Sequence, residues 1–202
     1  MKVTNVRSYG FEDAIYAMRL PLDSHNKSDS YYDSKGIYHI GEEDKKLSMK
    51  LIKAGSDHRK HIRLMKVGFT VELPLYLMKE LDTYKIGTDW VTSSTMHKLG
   101  SRLLNKDDFE TDNWNLEWEQ VTGILNSKIL KWQDTKDKAI WREIIQLLPQ
   151  AYLYRRTVVM SYEALLNMYN SRKNHKLVEW RYLLSELLTN IRYPEFIQGK
   201  FQ

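Results

Sequence analysis

The amino-acid sequence predicts a helix-rich α+β single domain with a small antiparallel or mixed sheet. Three observations carry that prediction. VGFTVELP (67–74) alternates apolar and polar residues with the period of a strand. AYLYRRTVVM (151–160) is rich in β-branched and aromatic residues. Much of the remaining chain places apolar residues at helical spacing.

In order along the chain, MKVTN (1–5) reads as a short strand. FEDAIYAMRL (11–20) reads as a helix with Phe11, Ile15 and Met18 on one face. DSHNKSDSYYDSKG (23–36) is dominated by Ser, Asp and Asn, whose side chains compete for backbone hydrogen bonds. It is expected to form an irregular loop near 24–36. EEDKKLSMKLIKAG (42–55) is a helix: acidic residues open it, lysines fill its later turns, and Gly55 follows its end. Leu47 and Leu51 sit four apart on it. In the strand 67–74, Val67, Phe69, Val71 and Leu73 share one face, while Gly68, Thr70 and Glu72 share the other. Pro74 stops this strand and suits the first turn of a helix over LYLMKEL (75–81).

YKIGTDWVTSSTMHKLGSR (84–102) alternates like neither a strand nor a helix face. From Asn113 the pattern turns helical, with Val121, Ile124, Leu125, Lys128, Ile129 and Trp132 as its stripe. KAIWREIIQLLP continues with Ile140, Ile144 and Leu147 and stops at Pro149. Ser161 is placed to cap a helix over SYEALLNMYNSR (161–172). LVEWRYLLSELLTNI (177–191) is a last apolar helix, closed by Pro194.

A chain of 202 residues fits one domain spanning 1–202, and 42% hydrophobic residues with 28% charged ones suffice for a real core. The chain has no cysteine, which excludes disulfides, thiolate zinc sites and a cysteine nucleophile. No apolar run reaches the ~18 residues of a membrane span, and the first ten residues lack a signal-type run. A cytoplasmic protein without membrane contact is expected. The net charge of +5, from 31 basic and 26 acidic side chains, is a modest bias toward anionic partners, nucleotides or nucleic acid among them.

Phosphate-loop, dinucleotide and nucleophile-elbow glycine motifs are absent. DHRKH (57–61) sets His58 and His61 three apart, but no third ligand is evident, so no metal is expected. A solvated basic turn is the first reading; among functional ones, Arg59 and Lys60 between the histidines favour contact with an anion over a metal. The 13 Tyr and 6 Trp lie mostly at helical or strand spacing, as packing requires.

Read in order, several segments resemble the flavin-dependent thymidylate synthases. EEDKKLSMKLIKAGSDHRKHI is similar to that family's helix followed by a histidine-bearing turn. FTVELPLYLMKEL is similar to its strand, proline and signature-bearing helix. EALLNMYNSR and HKLVEW are similar to its N-A-R-S-L-x-N-F-L-x-L-R and H-A-Q-W-E segments. The resemblance runs from about Glu42 to Phe196. The family signature R-H-R-x-x-S-x-N-E-x-S-x-R-Y, counted from Pro74 without a gap, falls on Thr83 to Met96. There its arginines become Thr83, Lys85 and Thr95, its histidine Tyr84 and its first serine Thr88. Trp90 and Val91 replace its asparagine and glutamate, Met96 its tyrosine, and Ser93 is retained. Ser161 and Glu163 stand for the asparagine and arginine of N-A-R-S, and Ile145 for an arginine four residues before Pro149.

The resemblance implies C5 methylation of a uracil deoxynucleotide, with methylenetetrahydrofolate as one-carbon donor, FAD as cofactor and NADPH as reductant. It implies a homotetramer with sites between subunits and no covalent nucleophile on the protein. Arg172, Ser93, Glu80 and Thr95 would contact the nucleotide; His61, Lys85, His175 and Ser161 would contact flavin. The ligand-site segment would lie near 83–102. The replaced signature leaves a second reading open. In it, a homologue keeps the scaffold without FAD and binds another nucleotide, nucleic acid or a protein partner, with Tyr84 and Trp90 as stacking groups.

Overall fold

The computed structural model describes residues 1–199; the last three residues of the expected 1–202 domain lie outside the described residues. The architecture is α+β and helix-rich. Its main sheet contains β1 (Lys2–Tyr9), β4 (Lys66–Pro74), β5 (Thr88–Thr92) and β6 (Leu153–Ser161), in the order β1-β4-β6-β5. The sheet is antiparallel. β2 (Tyr31–Tyr32) and β3 (Tyr38–His39) form a separate antiparallel ladder, Tyr31 opposite His39. By packing density the chain divides into two compact units.

The first unit comprises Met1–Lys2, Val71–Thr83 and Val91–Arg156. It holds α3 (Leu75–Leu81), the short α4 (Thr95–Lys98), α5 (Leu116–Thr135) and α6 (Lys138–Leu147). Side-chain caps set the starts of the two longer helices. Asn115 accepts from Trp118 N at 3.2 Å, and Asp137 accepts from Ala139 N at 2.8 Å. α5 and α6 bury Leu125, Ile129, Ile140 and Ile144 with Leu99, Leu104 and Phe109, walled by Trp114, Trp118 and Trp132. The buried face of α5 differs from the expected stripe: Thr122 is buried, whereas Val121 and Ile124 are exposed. Leu147 is also exposed, because α6 reaches its last turn there before Pro149.

The second unit comprises Val3–Thr70, Tyr84–Trp90 and Thr157–Gln202, of which the described part ends at 199. It holds α1 (Phe11–Arg19), α2 (Glu42–Ala54), α7 (Tyr162–Arg172), α8 (Val178–Asn190) and α9 (Glu195–Gln198). Its core includes Phe69, Tyr162, Trp180 and Phe196, each essentially inaccessible. The alternation expected in β4 is present, with Val67, Phe69, Val71 and Leu73 all fully buried. Pro74 stands at the N-cap of α3 rather than in its first turn. On α2 the buried residues are Asp44, Ser48, Met49 and Ile52; Leu47 and Leu51 are only half-buried.

The Ser/Asp/Asn segment near 24–36 is more ordered than its composition suggests. Ser28 and Ser30 hydroxyls donate to Asp44 at 2.5 and 2.6 Å, and Asp29 accepts from the backbone N–H groups of Glu43 and Asp44 at 2.9 and 3.1 Å. The loop thus supplies the start of α2 with a carboxylate cap from outside the helix. Arg19 completes this knot, its Nε donating to Asp44 at 2.6 Å. Among the described residues no helix is long and apolar enough to cross a membrane.

Candidate functional site

The segment 84–102 contains β5 and the single turn α4. Residues 84–90 belong to the second unit and 91–102 to the first. In the second unit, Tyr84 meets the end of α7. Arg172 Nε donates to Tyr84 Oη at 2.9 Å. The guanidinium carbon lies 5.1 Å from the Trp180 ring centroid and 5.8 Å from that of Tyr84. The two rings meet edge-on, 6.0 Å apart. Each such cation–π contact contributes ~0.5–2 kcal/mol and holds the guanidinium without neutralising it. His175 packs its ring edge on Trp180 at 6.4 Å, and its Nδ1 accepts from Leu177 N at 3.2 Å. Arg172 and His175, expected on different ligands, therefore meet on one tryptophan. Trp180 was not among the candidates; the similarity of HKLVEW to a tryptophan-bearing family segment was the signal for it.

Further along the same segment, Ser161 N donates to Gly87 O at 2.8 Å. Gly87 has φ 73°, and a Cβ there would stand 2.7 Å from Ser161 Oγ. Glycine is required on both counts. Ser161 is buried, and its hydroxyl accepts from Ala164 N at 3.1 Å as the cap of α7. Lys85 is exposed.

Glu163, at the position of a family arginine, is not an isolated anion. Arg59 grips it through Nε and a terminal nitrogen at 3.0 to 3.1 Å, and reaches Asn167 at 3.2 Å. Of the DHRKH motif, Arg59 is thus committed to α7, whereas His61 turns to α2. His61 Nε2 pairs with Ser48 Oγ at 2.7 Å, and its Nδ1 is buried without a partner. Burial lowers its pKa to about 4, so the ring is neutral near pH 7. Among the described residues no group of three metal-ligating side chains occurs.

Ser93, Thr95 and Glu80 lie in the first unit. Ser93 N donates to Arg155 O at 2.7 Å, and its hydroxyl accepts from Arg155 N at 3.1 Å. Thr95 opens α4. Glu80 sits half-buried on α3, its carbonyl accepting from Thr83. Ser93 lines a cleft of about 370 Å³ with Arg155, Glu72, Lys98, Arg102 and Asp108. Both arginines there are already paired, Arg155 with Glu72 at 2.6 Å and Arg102 with Asp108. Asp82 engages Arg156, whose Nε also donates to Thr92 Oγ1 at 2.8 Å.

No protein-family model matches the sequence, and no curated protein matches it. Solved structures do match. The flavin-dependent thymidylate synthase ThyX of Helicobacter pylori, in complex with FAD and dUMP, superposes with a TM-score of 0.75 at 17% identity, covering 99% of this chain and 98% of that one. A second structure of that enzyme with the same ligands gives 0.76 at 16% identity, with the same coverage. The UMP/dUMP methylase PolB of Streptomyces cacaoi, bound to 5-Br dUMP, gives 0.62 at 14% identity over 98% of this chain and 94% of that one. At such identities the likeness establishes the architecture: this chain has the fold of the flavin-dependent thymidylate synthases.

Proposed function

We propose that this chain binds a uracil mononucleotide and does so without a tightly held flavin. The observation that carries the reading is Arg172, whose guanidinium lies over the rings of Tyr84 and Trp180, in a fold whose two compared enzymes hold dUMP or its 5-bromo analogue. A guanidinium so held favours a phosphate through charge-assisted hydrogen bonds, and the neighbouring rings offer a surface to a base.

The residues expected to hold flavin do not fit it. The Ser161 hydroxyl caps α7, His175 Nδ1 receives Leu177 N, and His61 is buried against Ser48. Glu163 brings a negative charge, gripped by Arg59, where a diphosphate would need a positive one. Only Lys85 among that set is exposed.

The second reading is C5 methylation of a uracil deoxynucleotide with methylenetetrahydrofolate, reduced FAD and NADPH, within a homotetramer. Correspondence over 99% of the chain with an FAD- and dUMP-bound enzyme favours it. Calorimetric titration with dUMP, beside visible spectra after adding FAD, separates the two. Saturable dUMP binding that weakens about fivefold in Tyr84→Phe and at least tenfold in Arg172→Ala supports the first reading. Failure of dUMP to bind at millimolar concentration refutes it. A retained yellow flavin with turnover of dUMP establishes the second.

A further inference from the structure

The second unit contains a groove that the nucleotide reading does not use. It lies between α1, α2 and the 3-10 turn Lys60–Arg63, with a volume of about 680 Å³. Met18, Pro21, Leu22, Leu47, Leu51 and Leu64 form its apolar wall. This explains why Leu47 and Leu51 stay half-buried on α2: they face the groove rather than the core. Leu22 is 85% exposed, a large apolar surface left to solvent. The polar groups have a distinct character. Lys60 and Arg63 line the groove, are exposed, and enter no ion pair among the described residues. His58 adds an imidazole, and Asp57 is the carboxylate of the lining. His61 also lines it, and His61 Nδ1 is a buried polar atom with no partner.

We propose that this groove binds a small amphipathic anion, an apolar chain or ring system bearing a carboxylate. The apolar body lies along Met18, Leu47, Leu51 and Leu64, and the carboxylate meets Lys60 and Arg63. The observations select this class. The volume falls within the ~300–1,000 Å³ typical of small-molecule sites, and the lining is mostly apolar with a few convergent polar groups. Two unpaired cations against one acid select a negative head group. A strip this short suits a small molecule better than a polypeptide, whose interfaces bury roughly 800 Å² per partner. The site is independent of Arg172, so its test and that of the nucleotide reading fail separately.

The experiment titrates the full chain with dodecanoate, dodecanol and dodecylamine as monomers, followed by calorimetry. Dodecanoate is expected to bind one per chain, about tenfold or more tighter than dodecanol, with dodecylamine weakest. Lys60→Glu combined with Arg63→Glu, both at exposed positions, is expected to erase the preference for the carboxylate. Leu51→Trp, which fills the groove, is expected to abolish binding while the thermal midpoint is kept. The proposal is overturned if dodecanoate does not saturate, or if the charge reversals leave its affinity unchanged. Displacement of dodecanoate by dUMP would also overturn it, by making the groove part of the nucleotide site. So would binding to phosphatidylserine vesicles without binding of free dodecanoate, which would make the surface a bilayer contact.

Discussion

Replacing Glu163 by Gln tests how firmly the Arg59–Glu163 ion pair ties the turn at 59 to α7. Arg59 makes three contacts with the carboxylate at 3.0 to 3.1 Å, and the two side chains keep only 18% and 12% of their surface. Breaking a fully buried pair costs ~3–5 kcal/mol, whereas an exposed pair contributes ~0–1 kcal/mol. This pair lies nearer the buried end, and Arg59 retains Asn167 after the change, so the expected loss is ~2–3 kcal/mol. For a chain of this size, ~2–4 °C of thermal midpoint accompanies each kcal/mol, which predicts a drop of ~4–12 °C. Differential scanning calorimetry of Glu163→Gln, Arg59→Gln and the double variant forms a complete cycle. A coupling of ~2 kcal/mol is expected, with the double variant less destabilised than the two singles combined. Midpoints within one degree of the parent, with ~0 kcal/mol of coupling, would show that the pair holds nothing. Glu163 would then be free to swing away from a diphosphate.

Three further outcomes are expected. His61 has its pKa lowered to about 4 by burial, against 6.5 when unfolded. The unfolded chain thus binds the extra proton first, so this contribution is complete above about pH 6.5 and is lost as pH falls toward about 4, by ~3 kcal/mol in all. Urea unfolding of His61→Asn against the parent at pH 7, 5 and 4 should show the difference between them shrinking in acid. Gly87→Ala meets both a positive φ and the Ser161 hydroxyl, and should cost ~2 kcal/mol in thermal unfolding. Combining it with Ser161→Ala, itself costing ~1 kcal/mol as a lost cap, should be less than additive because the clash is gone. Asp44→Asn leaves the buried Arg19 charge facing the carbonyls of Ser24 and Lys27 and should cost ~3–5 kcal/mol, seen as a lower urea midpoint.

What the sequence revealed depended on whether a residue's role was local. β4 was legible because Val67, Phe69, Val71 and Leu73 are all fully buried, and alternation records that directly. α7 was legible through Ser161, since a cap acts within its own turn. β5 was not. It lies at the sheet edge, with only Thr88 buried, so its residues had no apolar face to display. α5 misled because Val121 and Ile124 are apolar yet exposed, while Thr122 is polar yet buried. Arg59 with Glu163 joins residues 104 apart, and Arg172 with Tyr84 joins residues 88 apart. No spacing rule reaches such pairs. Family resemblance located Arg172 and Glu163 as positions, but only the fold shows Arg59 paired with Glu163 and Arg172 packed on the Tyr84 and Trp180 rings.

The interleaving of the two units has a consequence for biosynthesis. Each takes three separate stretches of chain, and each must wait for late residues: the first for the stretch ending at Arg156, the second for the stretch beginning at Thr157. The first cannot finish until Arg156 is made and the second needs the stretch that follows it, so neither is complete in the first half of translation. Phe11 of α1 packs on the rings of Tyr162 and Tyr193, so part of its apolar face waits for residues made much later. Slow, late folding follows from that chain order, and so does the impossibility of isolating either unit by cutting the gene at one place.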